Sequence, residues 1–386
     1  MSSKVRCTKA FTCLFMAGTC GLAKEAPSQN LRSQISPLPA QTRVLRRIAF
    51  GSCIRQMQDA PLLNTVVAAK PDLFLMIGDV IYPDINEEAT APLDPWPTDT
   101  SLQRIKQTYA QMAAKPEYQN LRKNIPMMAV WDDHDYGIND GSADFTLKVE
   151  SQQLFLDFFD EPANSPRRKT PGIYDAKIFG PEGKRVQIIL LDTRYFRTPP
   201  LPDTRSDKEK KALNIAGRYA PNEAPDATVL GETQWRWLAE QFRKPAELRL
   251  LVSSYPLIPH ELGRDCWGNC PLERKKLFKL IGDTKASGVV ILSGDVHFAE
   301  ISKTGEGPYP LLDFTSSALA APSVGGEALK NSFRISKAYA DVNFGLVEID
   351  WKAQPAPQVT LKAIGLDGTA VFEHQVSLDD LRARSE

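Results

Sequence analysis

The sequence predicts a layered α/β fold, and three features of the chain point to it. Short apolar runs, too brief for ordinary helices, recur between amphipathic stretches and read as strands covered on both faces. Each run stops at a turn residue or an acid. The tail carries alternating runs joined by turns such as Asp367-Gly368, which read as strands completing a second sheet or layer.

The 386 residues can bury a large core, and 47 basic residues against 47 acidic ones leave no net charge. No global field recruits a polyanion, so a specific nucleic-acid partner is not indicated. Lys4, Arg6 and Lys9 precede an apolar segment and the small-residue pattern Gly21-Leu22-Ala23. Residues 1–23 therefore read as a signal peptide, its apolar segment Ala10 to Ala23 too short to span a bilayer, and the expected location is secreted or periplasmic. Cys20 invites a lipoprotein alternative, although Ala17-Gly18-Thr19 departs from the usual lipobox. Residues 24–46 are expected to form a disordered lead-in and residues 47–386 a single domain. Export would leave Cys53, Cys266 and Cys270. The last two could close a small ring, leaving Cys53 as a buried small hydrophobe or a metal thiolate.

Arg47 to Phe50 reads as a strand delivering Gly51-Ser52-Cys53, and a helical pattern follows from Pro61 to Lys70. Leu73 to Ile77 is the most clearly buried strand; Gly78 ends it, and Asp79, Tyr82 and, past Pro83, Asp84 follow. After a loop from Asn86 to Thr100, helical periodicity from Leu102 to Lys123 is interrupted at Pro116. Pro126 to Trp131 then runs into Asp132-Asp133-His134-Asp135 and, shortly after, Asn139. A helix is expected from Ser142 to Phe159. Val186 to Leu191 ends in Asp192-Thr193-Arg194, Leu248 to Val252 in two serines, and Val289 to Leu292 in Ser293-Gly294-Asp295-Val296-His297. The tail strands are Leu311 to Thr315, Phe344 to Trp351, Gln358 to Ile364 and Ala370 to Val376.

In layered α/β folds, functional groups gather beyond the carboxyl ends of the strands. Here that edge collects Cys53, Asp79 with Tyr82, Asp133 with His134, Asp192 with Arg194, and Asp295 with His297. Singly, each has a bland reading as a cap, turn or core ion pair. Together they supply thiolate, phenolate, carboxylate and imidazole, a mixture that suits a multi-metal centre. Phenolate and thiolate favour a trivalent Lewis acid such as iron; acid and amide oxygens favour calcium, magnesium or manganese. Such a centre lowers the pKa of a bound water and so makes a hydroxide nucleophile for displacement at phosphorus. His134 is the candidate proton donor to the leaving alkoxide. Arg194 is either a fork for the anionic ester or the partner of Asp192 in an ion pair.

The ordered set Phe50-Gly51-Ser52-Cys53, Gly78-Asp79-Val80-Ile81-Tyr82, Trp131-Asp132-Asp133-His134-Asp135, Leu191-Asp192-Thr193-Arg194 and Ser293-Gly294-Asp295-Val296-His297 resembles the PhoD-like alkaline phosphatase and phosphodiesterase family. The resemblance implies the calcineurin-like metallophosphoesterase architecture, a two-sheet αββα sandwich with helices on the outer faces. It also implies a secreted hydrolase of small phosphate esters, both monoesters and diesters. Cys53, Asp79 and Tyr82 would hold ferric iron, with Asp79 bridging to one or two calcium ions. Asp295 and His297 would complete the cluster, Asn139 would reach calcium, and manganese or magnesium could substitute. Asp133 and His134 fall on the Asn and His of the superfamily's Gly-Asn-His motif. The best-known members carry a small N-terminal β domain, for which the lead-in before Ile48 leaves no room. A narrower phosphodiesterase or phospholipase is the alternative among enzymes. An extracellular binding protein whose metals only staple loops is the alternative outside them.

Overall fold

A computed structural model of the chain describes residues 35–85, 100–213, 215, 217–323 and 325–383. The signal-peptide segment and nearly all of the loop expected from Asn86 to Thr100 lie outside them. In chain order the strands are β1 (Arg47–Gly51), β2 (Leu73–Met76), β3 (Met127–Ala129), β4 (Asp175–Phe179), β5 (Val186–Leu190), β6 (Leu201–Pro202), β7 (Tyr219–Ala220), β8 (Leu248–Val252), β9 (Val289–Ser293), β10 (Ala299–Thr304), β11 (Leu311–Ser316), β12 (Phe344–Asp350), β13 (Gln358–Ile364) and β14 (Ala370–Ser377). The helices are α1 (Leu62–Ala68), α2 (Leu102–Ala114), α3 (Pro116–Asn124), α4 (Asp133–Tyr136), α5 (Lys148–Phe158), α6 (Asp207–Ala212), α7 (Gly231–Phe242) and α8 (Pro271–Asp283).

Two six-stranded mixed sheets result, ordered β14-β13-β12-β1-β2-β3 and β10-β11-β9-β8-β5-β4. Within the first, β1, β2 and β3 run parallel, so the loops after them open on one edge. Within the second, β5, β8, β9 and β11 run parallel. Every residue of β2, β5, β8 and β9 is buried, which is why their sequences are mostly apolar rather than alternating, with Gln187, Arg249 and Ser293 as the polar exceptions. The sheets meet through aromatic side chains: the rings of Phe50 on β1 and Phe314 on β11 pack edge to face with centroids 5.0 Å apart.

The helices follow their local chemistry. The Ser101 hydroxyl caps α2 by accepting the Arg104 N–H at 3.2 Å, and Ile105, Thr108, Tyr109 and Met112 form its buried stripe. That helix stops at Lys115 because Pro116 has no N–H to continue it; the same proline opens α3, where the missing donor costs nothing. The helix expected from Ser142 is shorter and begins at Lys148.

Three sequence readings change. Of the tail strands only β11 joins the second sheet; β12, β13 and β14 extend the first, with β12 antiparallel to β1. The lead-in expected to be disordered is laid on the domain from residue 35 onward. The Ser36 N–H donates to the Arg122 carbonyl at 2.9 Å, the Gly180 N–H to the Gln41 carbonyl at 2.7 Å, and Leu45 is buried. Cys266 and Cys270 are separate buried thiols rather than a ring. Among the described residues no helix is long and apolar enough to cross a membrane.

Candidate metal centre and active site

The loops that leave β1, β2 and β3 meet those that leave β5, β8 and β9. Contact is close enough that a Cβ on Gly294 would lie 2.5 Å from the Ser52 hydroxyl, and one on Gly78, at φ +119°, 2.5 Å from the Asp132 Cβ. Four chemistry-bearing residues sit in the left-handed region that non-glycine residues rarely adopt: Cys53 (φ 61°), Asp79 (54°), Asp295 (71°) and His297 (63°). Such conformations persist only where the surroundings over-determine them, and they concentrate at functional sites. Here the Ile54 N–H donates to the Asp79 carbonyl at 2.9 Å, and the Leu319 and Ala320 N–H groups donate to the Ser52 and Cys53 carbonyls.

Asp79 is the hub. Its Oδ2 receives the Tyr82 hydroxyl at 3.1 Å and the Cys53 thiol at 3.4 Å, while its Oδ1 is buried with no hydrogen-bond partner. Ligand atoms of Cys53, Asp79 and His297 lie within 4.8 Å of one another; so do those of Asp79, Asp133 and His134, and those of Asp79, Asp132, Asp133 and Asp295. Asp132 Oδ1 accepts from Arg194 Nε at 2.7 Å and from the Ser254 hydroxyl, but its Oδ2 is also buried without a hydrogen-bond partner. Two buried carboxylates each presenting a bare oxygen, among two further acids, demand a positive charge.

The titration of these groups carries the same message. Burial first, then the charge of Asp133, pushes the Asp79 carboxyl far above its usual range, and burial followed by Asp132 does the same to Asp295. Burial raises Asp132 to about 7 against the pull of Arg194. Burial followed by the neighbouring Asp79 charge lifts both the Cys53 thiol and the Tyr82 phenol. Burial lowers His297 to about 4, so its imidazole is neutral and able to donate a lone pair. Without a cation this pocket favours protons on Asp79, Asp132 and Asp295; a bound cation would replace them. The donor set thus fits metal ions: Cys53, Asp79, Tyr82 and His297 on one side, Asp79, Asp132, Asp133 and Asp295 on the other.

Around these donors stand buried groups that fix the loops. His134 shares its Nδ1 proton with Asp84 Oδ1 at 2.6 Å and packs against Tyr82 with ring centroids 4.0 Å apart and planes tilted by 33°. Burial opposes a charged imidazole, yet Asp84, Asp133 and Asp79 outweigh it and raise the His134 pKa. Asp135 accepts the Val80 and Ile81 N–H groups at 2.9 and 3.1 Å, tying the loop after β2 to the loop after β3. Arg194 is fully buried; besides Asp132, its Nη1 reaches Asp265 Oδ2 at 2.6 Å, and Arg197 binds the same carboxylate through two nitrogens at 2.6 and 2.9 Å. Ligand atoms of Asp133, Asp140 and Asp265 form a further group within 4.8 Å.

A model of the PhoD-like phosphatase family matches residues 49–356. The chain belongs to that family. Alkaline phosphatase D of Bacillus subtilis (strain 168) is 21% identical over 397 residues, an alignment that covers 91% of this chain and 66% of that protein's length. A solved structure described as the structure of PhoD superposes with a TM-score of 0.64 at 16% identity, covering 89% of this chain and 70% of that one. The two-sheet α/β sandwich is therefore the fold of this PhoD-like chain.

Within it, Cys53, Asp79, Tyr82, Asp133, His134, Asp295 and His297 lie together, as the sequence led one to expect. Asn139 is placed differently from the rest: its side-chain amide donates to Asp140 Oδ2 at 2.8 Å and its backbone N–H to Asp84 Oδ2 at 2.8 Å. Arg194 does not pair with the Asp192 carboxylate as the sequence allowed; its guanidinium goes to Asp132 and Asp265, and only its backbone N–H reaches Asp192. Nor does that buried guanidinium lie open to an incoming ester. Asp192 itself is absorbed by structure, accepting the Trp131 indole N–H at 2.9 Å and the N–H groups of Ile173, Arg194 and Tyr195.

Replacing Asp192 with Ala would leave those four donors buried and unpaired, and is expected to cost about 3 kcal/mol or more of stability. Metal content per folded molecule should stay at the wild-type value. Elemental analysis beside thermal unfolding checks this; lost metal with an unchanged Tm would contradict it. Asp84, Asp132, Asp265 and Arg197 were not assigned roles from sequence. For Asp84 the signal was present, an acid just past the Pro83 turn, but its partner His134 is 50 residues away.

Proposed function

We propose that this PhoD-like chain is an exported, metal-dependent hydrolase of phosphomonoesters and phosphodiesters. The observation that supports it most is the pair of partnerless buried oxygens on Asp79 and Asp132, set among a thiol, a phenol, an imidazole and further acids. Cys53, Asp79, Tyr82 and His297 would hold ferric iron, whose charge a thiolate and a phenolate best neutralise. Asp79, Asp132, Asp133 and Asp295 would hold calcium, with manganese or magnesium as substitutes. The bound cations supply Lewis acidity toward phosphoryl oxygens and toward an attacking water.

The remaining roles fall to the chain's own groups. His134, oriented through Nδ1 by Asp84, presents Nε2 for proton transfer to the departing alkoxide. Arg194, held by Asp265, keeps Asp132 oriented and partly offsets the clustered negative charge, acting as a positioning residue. Asn139 and Asp140 border the acid-rich side, where Arg218 and Tyr219 of the long 198–229 connection reach Asp140.

Full-length protein reconstituted with iron and calcium should turn over 4-nitrophenyl phosphate and its bis-ester, and chelation should abolish both activities. A phospholipid assayed beside them separates the narrower readings. No turnover of any of the three by protein shown by elemental analysis to carry metal would refute the proposal.

A further inference from the structure

Arg55 stands two residues beyond Cys53, also in the left-handed region at φ 48°. Its loop is fastened on both sides. The Ile54 N–H donates to the Asp79 carbonyl at 2.9 Å, while Gln56 receives the Tyr82 N–H at 2.9 Å and donates back to the Tyr82 carbonyl at 3.2 Å. Between these clamps the Arg55 guanidinium lies over the Tyr82 ring, its carbon 5.2 Å from the centroid. The same ring packs against His134 at 4.0 Å and lies 6.4 Å from His297, so Arg55 is at the rim of the donor cluster.

The contrast with the other arginines of this region is in their partners. Arg194 and Arg197 are buried and committed to Asp132 and Asp265. Arg55 is only partly buried and makes no ion pair with any carboxylate among the described residues, and its Nε is screened from water with no hydrogen-bond partner. A guanidinium on a clamped loop beside the donor cluster, with no ion pair among the described residues and a donor unsatisfied, is poised for an anion with two acceptor oxygens.

We propose that Arg55 is the residue that anchors the substrate's phosphoryl group, gripping non-bridging oxygens from the side of the Tyr82 ring. This rests on the hydrolase reading for the identity of the substrate, and on the chain's own geometry for the anion site. It moves the role of the phosphate fork from Arg194, which is enclosed, to an arginine that is only partly buried.

The test uses metal-loaded, full-length protein in three forms: wild type, Arg55→Ala and Arg55→Lys. Inorganic phosphate is titrated calorimetrically, kcat and KM are measured on 4-nitrophenyl phosphate, and metal content and the visible absorption band expected of a Tyr82 phenolate on ferric iron are recorded. Arg55→Ala is expected to bind phosphate about tenfold more weakly and to raise KM by a similar factor, with kcat less affected and with metal and band unchanged. Arg55→Lys should recover part of the affinity, since it restores the charge without the fork. Unchanged phosphate affinity in Arg55→Ala, or no phosphate binding by wild type, overturns the proposal. So does an affinity loss that comes with altered metal content or a shifted band, which would make Arg55 a counter-ion to Tyr82. If wild type hydrolyses esters while Arg55→Ala matches it, only the anchor is lost. If wild type turns over no ester yet phosphate binding depends on Arg55, the hydrolase reading fails and the anion site stands.

Discussion

Asp79→Asn should reduce kcat/KM on the order of a thousandfold or more, because a cation held at this centre would contribute several kcal/mol to the transition state and Asp79 is the carboxylate shared by the candidate donor groups. Cys53→Ser is expected to lose iron selectively, whereas Asp79→Asn should lose both metals. The informative part is stability. In metal-stripped protein the Asp79 carboxyl is pushed far above its usual range, by burial and then by Asp133. The folded state therefore binds this proton more tightly than the unfolded chain does. Stability must then fall as pH rises above the ordinary carboxylate range of about 4, over the interval in which only the folded form stays protonated. Asparagine removes that liability. At neutral pH stripped Asp79→Asn should melt at or above stripped wild type, and adding metal should raise the Tm of wild type alone. A stripped variant that melts well below stripped wild type would show that Asp79 is there for packing.

The second large effect is at His134. His134→Ala should lower kcat about 10²- to 10⁴-fold on an alkyl phosphate ester, whose alkoxide must be protonated as it leaves. On 4-nitrophenyl phosphate the loss should be much smaller, since a nitrophenolate departs without help. Asp84→Asn should fall between wild type and His134→Ala, because the hydrogen bond at 2.6 Å orients the ring without being the proton source. Metal content should be unchanged in both. Equal losses on alkyl and aryl esters, measured as the slope of log kcat against leaving-group pKa, would rule out proton donation.

Much of this was legible before the coordinates. Leu73 to Ile77 announced a buried strand because no polar residue interrupts it, and the structure places β2 there with every residue buried. The candidate donor edge was legible because Cys53, Asp79, Asp133 and Asp295 each stand just past an apolar run, and parallel strands deliver such residues to a common edge. What escaped has a physical reason. Asp265 lies in the irregular loop before Cys266, where no periodicity marks it, and it matters only because Arg194 and Arg197 fold back onto it. Asp132 and Asp133 are indistinguishable in a run of acids; only backbone direction leaves one oxygen of Asp132 bare while both oxygens of Asp133 accept N–H groups. The tail was assigned to the wrong sheet because alternation reveals a half-buried strand but not its neighbour.

That misassigned tail bears on how the molecule can be made. β1, which delivers Cys53, is paired on one side with β12, Arg47 opposite Glu348, so partners about 300 residues apart in the chain must meet to close the sheet. A nascent polypeptide emerging from the ribosome holds the strand that leads to Cys53 half-bonded until the Phe344–Asp350 segment has been made. Any fragment ending before Phe344 would display a raw β1 margin, open to pairing with another molecule.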